Sequence, residues 1–92
     1  MQYVGTGRLG PAQNVAYTGT AGATTAIGTQ TYKVRVLVTT DAFVTTDGTT
    51  PSNTSGAYVP ALQVEYFTTT PGQVVKAVQV SAGGTLYITE IV

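Results

Sequence analysis

Four carboxylates are the only acids in the chain: Asp41, Asp47, Glu65 and Glu90. Histidine and cysteine are absent, so the commonest general base and the strongest protein nucleophile are both missing. Acid–base work would fall to a pair of carboxylates held in different environments. The spacing does not suggest such a pair. Asp41 stands at a strand entrance, Asp47 in a turn, Glu65 in mid-strand and Glu90 near the end of the chain. These read as a loop or cap residue, a turn former and two solvated strand charges. Glu65 alone lies among large side chains, with Lys33, Arg35 or Lys76 as its candidate partners. Nucleophilic catalysis would need a base beside Ser52, Ser55 or Ser81, all three in loop-like surroundings. A Ser-Lys arrangement would have to use Lys33 or Lys76, and no motif supports it.

The glycine motifs are equally bare. Gly5-Thr6-Gly7 lacks the third glycine and the following helix of a dinucleotide fingerprint, and Gly83-Gly84 lacks the lysine of a phosphate loop. No loop carries the alternating acidic and amide residues of a calcium hand. With no thiol or imidazole there is no zinc ligand of the usual kind. No catalytic, cofactor-binding or metal-binding residues are therefore expected, and the sequence reads as that of a protein that is not an enzyme. The six tyrosines are the remaining candidates for chemistry. They read either as core residues with the hydroxyl at the rim or as a stacking platform.

The rest of the composition shows what must position these residues. Nineteen threonines, thirteen valines and eleven glycines occupy a chain of 92 residues, of which only 9% are charged. An average soluble domain carries roughly 25% charge. Net charge is zero, which argues against nucleic acid, bound chiefly through Lys and Arg at phosphates. It argues equally against a polybasic membrane contact. No apolar run approaches the roughly 20 residues of a membrane helix. Met1-Gln2-Tyr3-Val4-Gly5 has neither the basic nor the apolar region of a secretory signal. A chain of this size buries roughly 63% of its unfolded surface, a marginal core. Without disulfide or metal, such a core often leans on a partner or on copies of itself.

β-Branched residues sit well on a pleated surface. Glycine and proline punctuate the chain every eight to twelve residues or so, and no window keeps a helical period. The expectation is all-β: a small antiparallel β-sandwich with jelly-roll or Ig-like connections and six to seven strands. Strands are predicted over 23–27, 32–38, 41–46, 57–59, 62–67, 74–80 and 85–91. In the clearest, Tyr32, Val34, Val36 and Val38 share one face while Lys33 and Arg35 share the other. Val74, Val78 and Val80 are expected on one face of their strand, and the 62–67 strand is expected to be buried on both sides near its end. Asp47-Gly48 and Pro71-Gly72 read as turns. The polar stretch Thr49 to Gly56 reads as an exposed loop. Asn53-Thr54-Ser55 matches a glycosylation sequon, read here as incidental.

Residues 1–20 read as an irregular N-terminal arm before a sandwich domain over 21–92. The arm is either a mobile terminus or a strap lying on a neighbouring subunit. Its apolar residues Tyr3, Val4, Leu9, Val15 and Tyr17 are the candidate partner contacts.

Four segments taken in order carry a resemblance. They are Thr39-Thr40-Asp41-Ala42-Phe43-Val44; Tyr58-Val59-Pro60-Ala61; Glu65-Tyr66-Phe67-Thr68-Thr69-Thr70-Pro71-Gly72-Gln73; and Gln79-Val80-Ser81-Ala82-Gly83-Gly84-Thr85-Leu86-Tyr87-Ile88-Thr89-Glu90. Across residues 32–92 the chain resembles small accessory proteins encoded among the virion genes of tailed phages and prophages. The resemblance implies a structural virion protein on the capsid surface, a decoration or cement protein that binds and stabilises the assembled head. Its partners would be the major capsid protein lattice and copies of itself, as a dimer or trimer. Nucleic acid, membrane and cofactor have no part in that reading. Two alternatives stay open. One is a tail, head–tail connector or fibre component of the virion. The other is a glycan- or receptor-binding sandwich using tyrosines such as Tyr58, Tyr66 and Tyr87.

Overall fold

The computed structural model describes residues 9–29 and 31–91. Eight strands follow one another: β1 (Leu9–Tyr17), β2 (Gly22–Ala23), β3 (Lys33–Val38), β4 (Ala42–Thr45), β5 (Ala57–Val59), β6 (Glu65–Thr68), β7 (Lys76–Gln79) and β8 (Gly84–Ile91). The described residues contain no helix. Two four-stranded sheets form, in the orders β1-β8-β3-β6 and β2-β7-β4-β5. Every pairing is antiparallel.

The pairings nest. β4 meets β5, β3 meets β6, β2 meets β7 and β1 meets β8. A long hairpin rolled up in this way is a jelly roll, and the additional β3–β8 and β4–β7 pairings close each sheet. That order decides between the two connection schemes the composition allowed. An Ig-like sandwich would pair its strands in a different order.

The first strand is a correction. Residues 9–17, expected to be irregular, form the longest strand among the described residues. The boundary drawn at residue 20 therefore falls inside the sandwich. Gly10 and Pro11 obscured the pattern. An edge strand tolerates a proline on its open side, and a register shift between Leu9 and Ala12 absorbs the irregularity. Beyond it the period is two: Gln13, Val15 and Tyr17 are more buried than Asn14 and Ala16.

The core lies between the sheets and is built of small branched residues. Val34, Val36, Val38, Leu86 and Ile88 face Ala42, Val44, Val59, Val75 and Ala77, with Tyr17 and Ile27 at its ends and Phe67 packed against it. The alternation expected in β3 holds for its valines, and β8 alternates in the same way. Two other expectations fail. In the β7 region the buried residues are Val75 and Ala77, and Val80 is 43% exposed. Apolar residues occupy both faces there, so periodicity offered two answers, and the second sheet takes its smaller residues inward. Leu62 and Val64 are exposed and only Phe67 turns in, because β6 is an edge strand and its approach lies outside the ladder. Tyr32 also departs from the buried face of β3, at 65% exposure.

Turns follow the glycine chemistry. Gly48 and Gly72 adopt φ of 83° and 86°, the left-handed region that Asp-Gly and Pro-Gly turns demand. The 47–56 connection is mostly exposed but orders itself. Ser52 and Ser55 exchange backbone hydrogen bonds, Thr45 donates its hydroxyl to the Thr49 carbonyl, and Pro51 is buried.

Candidate contact surface

The residues singled out for chemistry are placed apart, each in a local network. Asp41 accepts the Tyr58 hydroxyl at 2.6 Å and the Ala61 N–H at 2.8 Å. The Tyr58 hydroxyl, followed by that N–H, holds the Asp41 carboxyl below the ordinary value of 3.8. The same hydrogen bond raises Tyr58 above 10.0. Asp47 accepts both the hydroxyl and the N–H of Thr49, at 2.6 and 3.1 Å, and these two bonds lower its pKa likewise. Glu90 is 4% exposed and accepts the Thr31 hydroxyl at 2.5 Å and the Gly28 N–H at 3.3 Å. The structure thus replaces a solvated strand charge with a buried carboxylate that ties Gly28 and Thr31 to β8. Glu65 is exposed and sits opposite Val36. Its inward-facing register puts it on the opposite side of the sheet from Lys33 and Arg35, two of the partners considered for it. Ser52 and Ser55 bond within their own turn, and Ser81 is exposed. Among the described residues no group of three or more His, Cys, Asp or Glu side chains stands close enough to hold a metal ion.

The predicted partner contacts divide. Tyr3 and Val4 lie outside the described residues. Leu9 is 68% exposed at the start of β1. Val15 is half-buried and faces inward. Tyr17 is a correction: it is 2% exposed and belongs to the core. Its hydroxyl donates to the Thr40 carbonyl at 2.6 Å, lies 2.9 Å from the Thr40 hydroxyl, and accepts the Thr40 N–H at 3.2 Å. The phenol ring fills the end of the sandwich while its polar tip fastens the β3–β4 turn, so it has no surface left for a partner.

Cross-strand register assembles the outer face of the first sheet in rows. Leu9, Ile91, Lys33 and Thr68 form one row. Ala12, Thr89, Arg35 and Tyr66 form the next, and Asn14, Tyr87 and Leu37 the third. Between the last two rows lies a shallow groove of about 340 Å³, lined by Ala12, Asn14, Arg35, Leu37, Tyr87 and Thr89 together with Gln13 and Ile88. The opposite face of the molecule carries a second aromatic feature. Phe43 and Tyr58 meet edge to face, with ring centres 5.8 Å apart. These outer faces carry the large exposed side chains Tyr58, Tyr66 and Tyr87, while Leu9 begins β1, Tyr32 precedes β3 and Leu62 lies in the turn between β5 and β6. Sequence periodicity gives the face of Arg35, opposite the valines of β3. It has no access to the row that brings Asn14 to Tyr87 and Leu37, because Gly10 and Pro11 hide the strand character of β1.

Fold and surface together define a jelly-roll sandwich whose polar chemistry is spent inside its own turns and whose outer faces present aromatic and aliphatic side chains. No protein-family model, curated protein or solved structure matches this chain.

Proposed function

We propose that this protein is a structural virion component, a decoration or cement protein that binds the assembled head of a tailed phage. The carrying observation is the surface. Tyr32, Tyr58, Leu62, Tyr66 and Tyr87 stand exposed on a neutral chain of 92 residues. Asp41, Asp47 and Glu90 are meanwhile engaged in hydrogen bonds that hold turns. Aromatic side chains exposed in this number offer contact area to another surface. The resemblance across residues 32–92 supplies the virion setting. The jelly roll agrees with it, since viral capsid domains use this fold, although lectins and cupins use it too.

Such a protein works by mass action. It binds the assembled lattice in preference to dissociated subunits and so raises the stability of the shell. Contact area is what that task requires. Near-zero charge keeps long-range repulsion low among closely spaced copies. With Val15 and Tyr17 withdrawn into the sandwich, the outer faces and Leu9 are the contact residues within the described chain.

Co-sedimentation with assembled and with dissociated capsids tests the proposal. Binding to the assembled form alone is expected, and absence of binding to it overturns the reading. Quantitative gel analysis of purified particles then separates the roles. A copy number on the order of hundreds fits decoration of a lattice, whereas about six or twelve fits a cyclic ring at the neck or tail.

A further inference from the structure

We infer that the groove on the outer face of the first sheet is a binding site for a carboxylate-bearing sugar, with Arg35 as the residue that receives the carboxylate. Three observations converge on it. Arg35 and Leu37 of β3 form one wall, Asn14 of β1 the other, and Tyr87 and Thr89 of β8 lie between them. Ala12, in the row with Thr89 and Arg35, leaves the depression that larger side chains would fill. Lys33 and Arg35 are the charged residues of this face among the described residues. Glu65 and Glu90 occupy inward-facing registers, opposite Val36 and Val34.

The Arg35 guanidinium makes no hydrogen bond with any described residue. Its planar fork suits a carboxylate, which it can hold through two parallel bonds. Asn14 supplies an amide with both donor and acceptor, and Thr89 a hydroxyl, for ring hydroxyls of the ligand. Tyr87, 42% exposed, and Leu37 offer an apolar surface for the carbon face of a sugar ring. All five side chains stand on strands, so their spacing is fixed before any ligand arrives.

Size decides between a sugar and a protein partner. The two rows span three strands, so the footprint is about 10 Å by about 7 Å. A volume of about 340 Å³ lies at the lower end of small-ligand sites, roughly 300–1,000 Å³. A stable protein interface covers about 800 Å² a side, ten times this footprint. The concavity with few convergent polar groups is therefore matched to a saccharide unit. Tyr87 belongs also to the face proposed for capsid contact, so the groove is tested on the free chain, and its failure is distinguishable from a failure of capsid co-sedimentation.

The test is an NMR titration of the full chain with sialyllactose and with trigalacturonate, beside lactose and the methyl ester of trigalacturonate. At least one acidic sugar is expected to shift amides of β1, β3 and β8 around the groove, with the matching neutral sugar leaving them unmoved. Arg35→Gln is expected to weaken the interaction at least about tenfold, the loss for one charge-assisted bidentate contact. Lys33→Gln, on the neighbouring row, is expected to retain most of the binding. Circular dichroism of each variant checks that the sandwich persists, and Arg35→Lys, which keeps charge but loses the fork, is expected to bind weakly while remaining folded. The proposal is overturned if neither acidic sugar binds, if neutral sugars bind equally well, or if Arg35→Gln binds like the parent. Equal occupancy by inorganic phosphate or by an acidic peptide at the same concentration also overturns it, by reducing the groove to a general anion contact.

Discussion

Replacing Tyr17 by phenylalanine keeps the ring in the core and removes one oxygen. That oxygen takes part in three hydrogen bonds with Thr40, to its carbonyl, hydroxyl and N–H. Loss of the hydroxyl leaves partly buried backbone groups of the β3–β4 turn without their partner. Such a loss costs about 1–3 kcal/mol. For a domain of this size each kcal/mol moves Tm by about 4–8 °C, so a fall of roughly 5–20 °C is expected by differential scanning calorimetry. Gly84 provides an internal check on the mechanism. A Cβ built there would lie 2.5 Å from Thr40 Oγ1, 2.7 Å from Thr39 Oγ1 and 2.8 Å from the Tyr17 hydroxyl. The Thr39 hydroxyl is itself fixed, accepting the Thr85 N–H at 2.8 Å. Gly84→Ala is thus overpacking of a bonded cluster, at a cost of about 1–3 kcal/mol or more. Phenylalanine at position 17 vacates one of the three obstructing atoms. The double variant should accordingly be more stable than the sum of the single losses predicts, by at least about 0.5 kcal/mol. Strict additivity, or an unchanged Tm for Tyr17→Phe, would refute the reasoning and return Tyr17 to the surface role that its position near the N-terminus first suggested.

Other predictions concern pH, glycine and the buried acid. Asp41 and Asp47 have lowered pKa values in the fold, so their stabilisation is full above the unfolded value of 3.8 and is lost as pH falls through the lowered values. Tyr58 is raised, so its contribution is full below 10.0 and is lost as pH rises through the raised value. A Tm-against-pH profile should therefore decline at both ends, and Tyr58→Phe should remove the tyrosine part of the alkaline decline and weaken the acid one. Gly22→Ala places a Cβ 2.3 Å from the Ala16 carbonyl oxygen. Because that obstacle is backbone, expression should yield mostly unfolded chain, seen as a collapsed amide dispersion in NMR. At Gly72 a Cβ meets nothing within 4 Å, so Gly72→Ala is charged only for its left-handed φ, about 1–2 kcal/mol, and should fold. Glu90→Ala should lower stability by about 1–3 kcal/mol and speed hydrogen exchange at Gly28, whose N–H loses its acceptor. Exchange at Gly28 equal to that of the parent would count against the pinning role.

Much of this architecture was legible along the chain. Valine at 34, 36 and 38 and leucine–isoleucine at 86 and 88 bury themselves because side chains alternate with period two, and in β3 the charges Lys33 and Arg35 on the other face leave only one way to turn. The Asp47-Gly48 and Pro71-Gly72 turns were legible because few other residues reach those φ values. What failed was legible only ambiguously. In Val74-Val75-Lys76-Ala77-Val78 both faces are apolar, so local pattern cannot choose between them. Glu90 shares the inward face of Leu86 and Ile88, so alternation turns it towards the core, but no local pattern shows the donors that make its burial tolerable: the Thr31 hydroxyl and the Gly28 N–H lie 59 and 62 residues away. Tyr17 looked like an anchor in a loose arm because its partner, Thr40, is 23 residues distant.

The sequence by itself determined that the protein is a small all-β sandwich, without histidine or cysteine and rich in β-branched residues, since composition and period-two alternation are local properties. Tertiary structure decided the rest. Nested pairing of β1 with β8 turned an apparent arm into an edge strand and selected the jelly roll over the alternative connection. The same pairing set Asn14 across from Tyr87 and Ala12 across from Thr89, and the β3–β8 pairing completes these rows with Leu37 and Arg35. Register between strands more than 40 residues apart is a property of the assembled sheet, fixed by which faces find a common core, and no local stretch of chain contains it.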